Sequence, residues 1–186
     1  MLSGIVNIGF RKKDVSPVYR VASSIINTVI MLYICLFSVH YYGLTYRFIV
    51  YNLLAVNLLY ISNYDIREQT VPLKSISVSV LCALAVLVWN KNNAWWIYIL
   101  SGLAYGITFL LISRITRGAL GTGDALIIGT IGIYLGFLHT LAVLFYAFFL
   151  GGIFSLILFI MRKVSRQTSL PFAPFLTAGF LVSILR

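Results

Sequence analysis

Carboxylates are the scarcest feature of this sequence. Among 186 residues only Asp14, Asp65, Glu68 and Asp124 are acidic, against fourteen Lys plus Arg, and charged residues make up 10% of the chain. Soluble proteins carry about 25% charged residues, so a soluble globular domain is excluded. Cysteine is almost missing as well. Cys35 and Cys82 stand singly in apolar stretches, there is no CxxC, and the histidines are His40 and His139. A disulfide framework and a zinc site both lack their ligands. No metal and no cofactor is expected, and both cysteines read as small helix-packing residues. Proline occupies four positions, with no Pro-rich or Gly/Ser-rich linker and no internal repeat. The chain reads as one membrane domain over 1–186 with no soluble domain attached.

What is abundant is apolar length, since 61% of the residues are hydrophobic. A bilayer core of about 30 Å takes about 20 apolar residues, so seven crossings need roughly 140 residues and leave about 46 for loops. The hydropathy pattern predicts crossings near 21–41, 46–64, 73–89, 94–114, 124–138, 140–161 and 172–185. The expected fold is all-α, a polytopic membrane helical bundle of about seven, or six, transmembrane helices. The run from Ala125 to Met161 is too long for one crossing, and Gly136 and His139 mark its break. The last segment is short enough to be re-entrant. Gly102 with Gly106, and Gly132 with Gly136, have the GxxxG spacing that lets helix backbones approach, here within one bundle. The pattern leaves the oligomeric state open.

Charge orients this bundle. With the amino terminus inside, Arg11, Lys12, Lys13, Arg20, Arg67, Lys74, Arg114, Arg117, Arg162, Lys163 and Arg166 fall on the inner side, and Arg47, Lys91 and Arg186 on the outer. Cytoplasmic loops collect Lys and Arg, so the expected location is the cytoplasmic membrane with the carboxyl terminus outside. The net charge of +10 is thereby a topology signal, and no nucleic-acid partner is expected. Tyr41, Tyr42, Tyr46, Trp89, Trp95, Trp96 and Tyr98 gather on the outer side, where amphipathic rings sit at headgroup depth. Met1 to Phe10 precedes its basic residues, the reverse of a cleavable secretory signal, and reads as an interfacial segment.

In this topology the second crossing ends near Asp65 and the fifth begins at Asp124, so both aspartates meet the same membrane face. Ionisable groups at membrane depth are costly and mark sites by default. They can also be read as helix-end carboxylates paired with Arg67, Arg114 or Arg117. Asp14 and Glu68 adjoin basic residues in wet segments, where ion pairs contribute little. Asp124 closes Gly121-Thr122-Gly123-Asp124, whose glycines permit close approach by another chain segment. Asp65 lies a short stretch before Val71-Pro72, and Pro72 can open the third crossing. Near the carboxyl end stands Leu170-Pro171-Phe172-Ala173-Pro174-Phe175-Leu176.

In this order, these segments resemble the type IV prepilin peptidase family, archaeal preflagellin peptidases included, which are polytopic aspartyl proteases of the GxGD kind. The resemblance covers about 65–185. It implies catalytic Asp65 and Asp124, with Gly121, Gly123, Pro72, Pro171 and Pro174 as substrate-positioning or structural motif residues. The family often continues its GxGD with Val-Lys-Leu, where this chain has Ala125-Leu126-Ile127, and Ala173 stands where Gly is usual. The cysteine-rich domain and methyltransferase activity of larger members have no counterpart, so the expectation is a peptidase only. The implied substrates are precursors with class III signal peptides, pilin-like or archaeal flagellin-like, whose short basic leader is cut at the cytoplasmic face. Anionic membrane lipids are expected partners.

Paired aspartates hydrolyse a peptide when one is ionised and takes a proton from water while the other is protonated and gives one to the departing nitrogen. Asp124 begins a helix and Asp65 ends one, so the helix dipole alone favours Asp124 as the base and Asp65 as the acid. Two other readings share these residues. A signal-peptide-peptidase-like protease would also show Tyr64-Asp65 and GxGD, but its Pro-Ala-Leu element is missing. A small proton-coupled transporter or channel could use both carboxylates as a relay, yet the internal symmetry of transporters is not visible.

Overall fold

The computed structural model describes residues 17–89, 94–116, 120–161 and 171–184, all of them helix or short connection. The elements are α1 (Pro17–Tyr42), α2 (Tyr46–Glu68), α3 (Leu73–Trp89), α4 (Trp95–Ile115), α5 (Thr122–Ile160) and α6 (Ala173–Ile184). The amino-terminal basic segment with Asp14, and the basic positions Lys91, Arg117, Arg162, Lys163, Arg166 and Arg186, lie outside the described residues.

The expected break in the long apolar run is at Gly136. There the backbone takes φ 76° and ψ −178°, a region open essentially to glycine. In a straight helix Gly129 and Phe148 would stand about 28 Å apart. Yet a Cβ on Gly106 would lie 3.7 Å from Gly129 Cα, and the Phe109 and Phe148 rings pack with centroids 6.3 Å apart. Positions 106 and 109 of α4 are only about 4.5 Å apart along its axis. The two arms of α5 therefore fold back on each other, and both lie along α4. Among the described residues the bundle has six helices, and the fold-back of α5 divides its helical rods into seven segments.

The arms pack through small residues, since a Cβ on Gly132 would lie 2.8 Å from Gly102 Cα. Polar clasps join the other helices. Asn52 Nδ2 donates to Ser38 Oγ at 2.9 Å between α2 and α1. The Tyr134 hydroxyl donates to the Ser79 carbonyl at 2.9 Å between α5 and α3. In a medium without water such bonds satisfy groups that have few other partners. Leu54, Leu58 and Ile61 of α2, Ile127, Ile128 and Ile131 of α5, and Leu176 and Phe180 of α6 form the fully buried core.

The exterior is as apolar as the interior. Leu32 is 60%, Phe145 65% and Ile160 70% exposed, which suits a surface facing lipid tails. By length and composition, three described helices are apolar enough to cross a membrane, within Ser23–Tyr42, Trp95–Ile115 and Thr122–Ile160. Helix α2 is long enough but carries Asn52, Asn57 and Asn63. Helix α6, of 12 residues, rises about 18 Å, short of a bilayer core of about 30 Å. Tyr41, Trp89, Trp95 and Trp96 are exposed at the ends of α1, α3 and α4 that lie opposite Asp65 and Asp124.

Candidate active site

Three segments that are remote in sequence meet at one end of the bundle. Asp65 is in the last turn of α2, buried at 6% exposure. Its backbone carbonyl accepts the Gln69 N–H at 2.9 Å, and Gln69 ends the helix in the left-handed region at φ 50°. The chain then crosses to Pro72, whose carbonyl accepts the Ser75 N–H at 3.0 Å and so opens α3.

Asp124 sits in the first turn of α5. Its carboxyl group interacts electrostatically with that of Asp65. The approach to this turn is fixed from α4, where Ser113 Oγ donates to the Leu120 carbonyl at 2.6 Å. Gly123 is where the two aspartate segments touch. A Cβ there would lie 2.5 Å from Val71 Cγ2 and 2.7 Å from Val71 Cβ, inside van der Waals contact. Gly121 leaves similar room for the acid, because a Cβ on it would lie 3.0 Å from Asp124 Oδ2.

The third segment is the double-proline start of α6. The first backbone N–H groups of a helix have no partner within it, and here each is accounted for. Phe175 and Leu176 donate to the Phe172 carbonyl at 3.0 and 3.2 Å. Pro174 has no N–H. Ala173 donates to Asp65 Oδ2 at 3.1 Å. Lower on the same helix, Thr177 Oγ1 donates to the Leu58 carbonyl at 3.3 Å, which holds α6 against α2.

Of the residues singled out in the sequence, Asp65, Pro72, Gly121, Gly123, Asp124, Pro171 and Pro174 all lie in this one cluster or on the segments that form it. The role of the Ala173 N–H is not visible in the sequence. Pro174 in a first helical turn, preceded by a residue whose N–H must find a partner elsewhere, is the signal that points to it. This contact also changes the electrostatics expected from sequence. Asp65 ends α2, but it also faces the amino end of α6, so both aspartates sit at the positive end of a helix dipole. The helix-end difference that set Asp124 as base and Asp65 as acid is thereby lost. Among the described residues no group of three or more His, Cys, Asp or Glu side chains is placed to hold a metal ion.

Residues 52–156 match the family described as the type IV leader peptidase family. The chain is 27% identical over 122 residues to the prepilin leader peptidase/N-methyltransferase of Bacillus subtilis (strain 168), an alignment that covers 65% of this chain and 49% of that protein. The chain thus spans about half the length of the curated relative it matches. No solved structure matches it.

Proposed function

The chain belongs to the type IV leader peptidase family, and from that premise we propose that it is a membrane aspartyl endopeptidase whose dyad is Asp65 and Asp124. The observation that supports this reading is the convergence of three segments at one end of the bundle, where Asp65 accepts the Ala173 N–H and Gly123, next to Asp124, rests on Val71. Two acids in electrostatic contact share a proton, because both cannot ionise easily side by side. The ionised member takes a proton from water as the water oxygen bonds to the peptide carbonyl carbon. The protonated member gives its proton to the nitrogen as the C–N bond breaks. After one turnover the pair again holds one proton between its members. Gly121, Gly123, Pro72, Pro171 and Pro174 act through the backbone, by bringing the three segments into contact.

The proposed substrates are precursors with class III signal peptides, pilin-like or archaeal flagellin-like, in which a short basic leader precedes an apolar helix. The apolar helix lies in lipid beside the bundle while its junction with the leader reaches the dyad. The amino terminus is proposed to be inside, which sets the dyad at the cytoplasmic face of the cell membrane, among anionic lipids. The inner face is basic and so is the leader, so attraction between them is assigned to Glu68, the dyad and those lipids.

The test mixes the protein, purified in detergent, with a precursor carrying such a leader and looks for the shortened product. Wild-type protein is expected to cleave at the junction, and Asp65→Asn and Asp124→Asn are each expected to lose cleavage while keeping wild-type helicity. Retained cleavage in either variant overturns the assigned dyad.

A further inference from the structure

Helix α4 carries neither aspartate, yet one of its faces reaches the approaches to both. Gly102, Gly106, Phe109 and Ser113 fall within about 60° of one another around a helix of 3.6 residues per turn. Toward Trp95 the glycines of this face admit the first arm of α5. A Cβ on Gly102 would lie 2.8 Å from the Gly129 carbonyl oxygen, and one on Gly129 would lie 3.2 Å from Gly106 Cα. Backbones this close are interlocked, so α4 and the first arm share one register.

Ser113 stands at the other end of the face, buried at 2% exposure. A helical hydroxyl commonly bonds the carbonyl one turn back, as Thr28, Ser77, Thr116 and Thr130 do on Ser24, Leu73, Ile112 and Leu126. Ser113 does not. Its Oγ donates at 2.6 Å to the Leu120 carbonyl, seven positions on and outside the helix. That carbonyl and the Gly121 N–H belong to one planar peptide unit, so the bond fixes the plane that leads into Gly121. A Cβ on Gly121 would lie 3.0 Å from Asp124 Oδ2, which puts this peptide unit beside the acid.

One turn back from Ser113, Phe109 starts a second path. Its ring packs on Phe148 of the second arm of α5, with centroids 6.3 Å apart and planes 15° apart. Phe148 in turn meets Phe172, with centroids 5.2 Å apart. These are separations at which aromatic rings attract. Gly151, one turn beyond Phe148, leaves space for the other phenylalanine of the double-proline turn, since a Cβ on it would lie 3.4 Å from Phe175 Cγ. Phe172 begins the peptide unit whose N–H is that of Ala173, the donor to Asp65. In both paths α4 holds a peptide unit that lies against an aspartate carboxyl.

We infer that α4 is the frame that sets the two aspartates relative to one another, with Ser113 positioning Asp124 through Leu120, and Phe109 positioning Asp65 through Phe148 and Phe172. The inference rests on the dyad reading above and adds to it the residues that hold the acids in place. Ser113, Phe109 and Phe148 act through backbone, so their loss displaces an acid without removing it. A displacement of about 1 Å can cost a factor of about 10² in rate.

The test measures steady-state cleavage of a leader-bearing precursor, the unfolding midpoint and amide hydrogen exchange, all on the full chain in detergent. Ser113→Ala and Phe148→Leu are each expected to lower kcat at least about tenfold, with KM and midpoint close to wild type. Ser113→Thr, which keeps the hydroxyl, and Phe148→Tyr, which keeps the ring, are expected to recover much of the loss. Thr116→Ala and Phe145→Leu serve as controls expected to cleave like wild type. Thr116 bonds its own helix, and the Phe145 ring packs on Tyr146 and Phe149 of its own helix. Exchange is expected to speed up over 120–125 in Ser113→Ala and over 172–176 in Phe148→Leu, each without the other. Phe109→Leu, at the α4 end of the same path, is expected to match Phe148→Leu, so one misfolded variant does not decide the matter. Wild-type kcat in Ser113→Ala, or in both phenylalanine variants, overturns the frame. So does a loss shared by the controls, or one that the hydroxyl-keeping and ring-keeping variants leave unrecovered. Failure of the dyad reading looks different, because wild type then cleaves nothing and the exchange pattern alone decides the frame.

Discussion

The backbone N–H of Ala173 donates to the Asp65 carboxylate at 3.1 Å across 108 positions of sequence, and this single bond ties the double-proline turn to the end of α2. It aims a backbone dipole that cannot titrate at an acid that can. The carboxyl group of Asp65 is thereby held in place by α6.

Ala173→Pro removes that donor while leaving a residue that first helical turns accept. Hydrogen bonds to charged groups contribute about 1.5–3 kcal/mol, so kcat for a leader-bearing precursor should fall by about 10- to 100-fold with little change in helicity. Ala173→Gly keeps the N–H and should cleave at close to the wild-type rate. Steady-state cleavage by both variants, with circular dichroism alongside, makes the comparison, and a Pro variant as active as the Gly variant would show that the bond plays no part in turnover.

Gly123 allows the GxGD turn to rest on Val71. Added there, a Cβ would lie 2.5 Å from Val71 Cγ2 and 2.7 Å from Val71 Cβ, so Gly123→Ala must push the two aspartate segments apart. Overpacking of this kind costs about 1–3 kcal/mol. Cleavage should drop at least about tenfold, as 1.4 kcal/mol in the barrier already implies. A second-site change should return activity in graded fashion, a little with Val71→Ala and more with Val71→Gly, because only the latter removes the Val71 Cβ. Relative rates of the three proteins on one precursor check the order.

Much of this arrangement was legible in the sequence, and for identifiable reasons. Hydropathy located the helices to within a few residues, since a chain in lipid must hide every backbone polar group in helices. The break at Gly136 could be read because the run from Ala125 to Met161 was too long for one crossing. The two aspartates could be paired by following the direction of each rod. Contacts were not legible. Val71 on Gly123 depends on how α5 meets the connection between α2 and α3, and Ala173 on Asp65 depends on how α6 docks against α2. That docking is set by Thr177 on the Leu58 carbonyl and by Phe180 in the core, neither of which announces its partner. The helix dipole that acts on Asp65 was not legible for the same cause, because Asp65 ends α2 but also faces the start of α6.

The fold-back at Gly136 should be a sensitive position for stability. A non-glycine residue held at φ 76° and ψ −178° costs about 1–3 kcal/mol, and a Cβ there also meets the Tyr98 ring at 3.2 Å. Gly136→Ala should lower the midpoint of thermal unfolding in detergent, whereas Gly152→Ala should leave it nearly unchanged, since nothing lies within 4 Å of a Cβ at Gly152. Equal midpoints for the two variants would mean that the turn relaxes to another backbone shape.

Asp65 and Asp124 should behave as one unit when both are removed. If each aspartate acted alone, the loss in the double variant would be the product of two losses of about 10²–10⁴ each, typical of general acid–base groups. A pair that shares one proton has only one function to lose. The double Asn variant should therefore be no slower than the slower single variant, since residues that act as a unit have strongly non-additive effects. The wild-type rate should trace a bell against pH, because the pair is inactive with both protons on and with both off. Either substitution should abolish both limbs at once. Single-turnover cleavage by the four proteins across the pH range supplies both readouts. A double variant slower than either single one by a further factor of about 10² or more would mean two independent acids, and the water would then have to be held by one carboxylate alone.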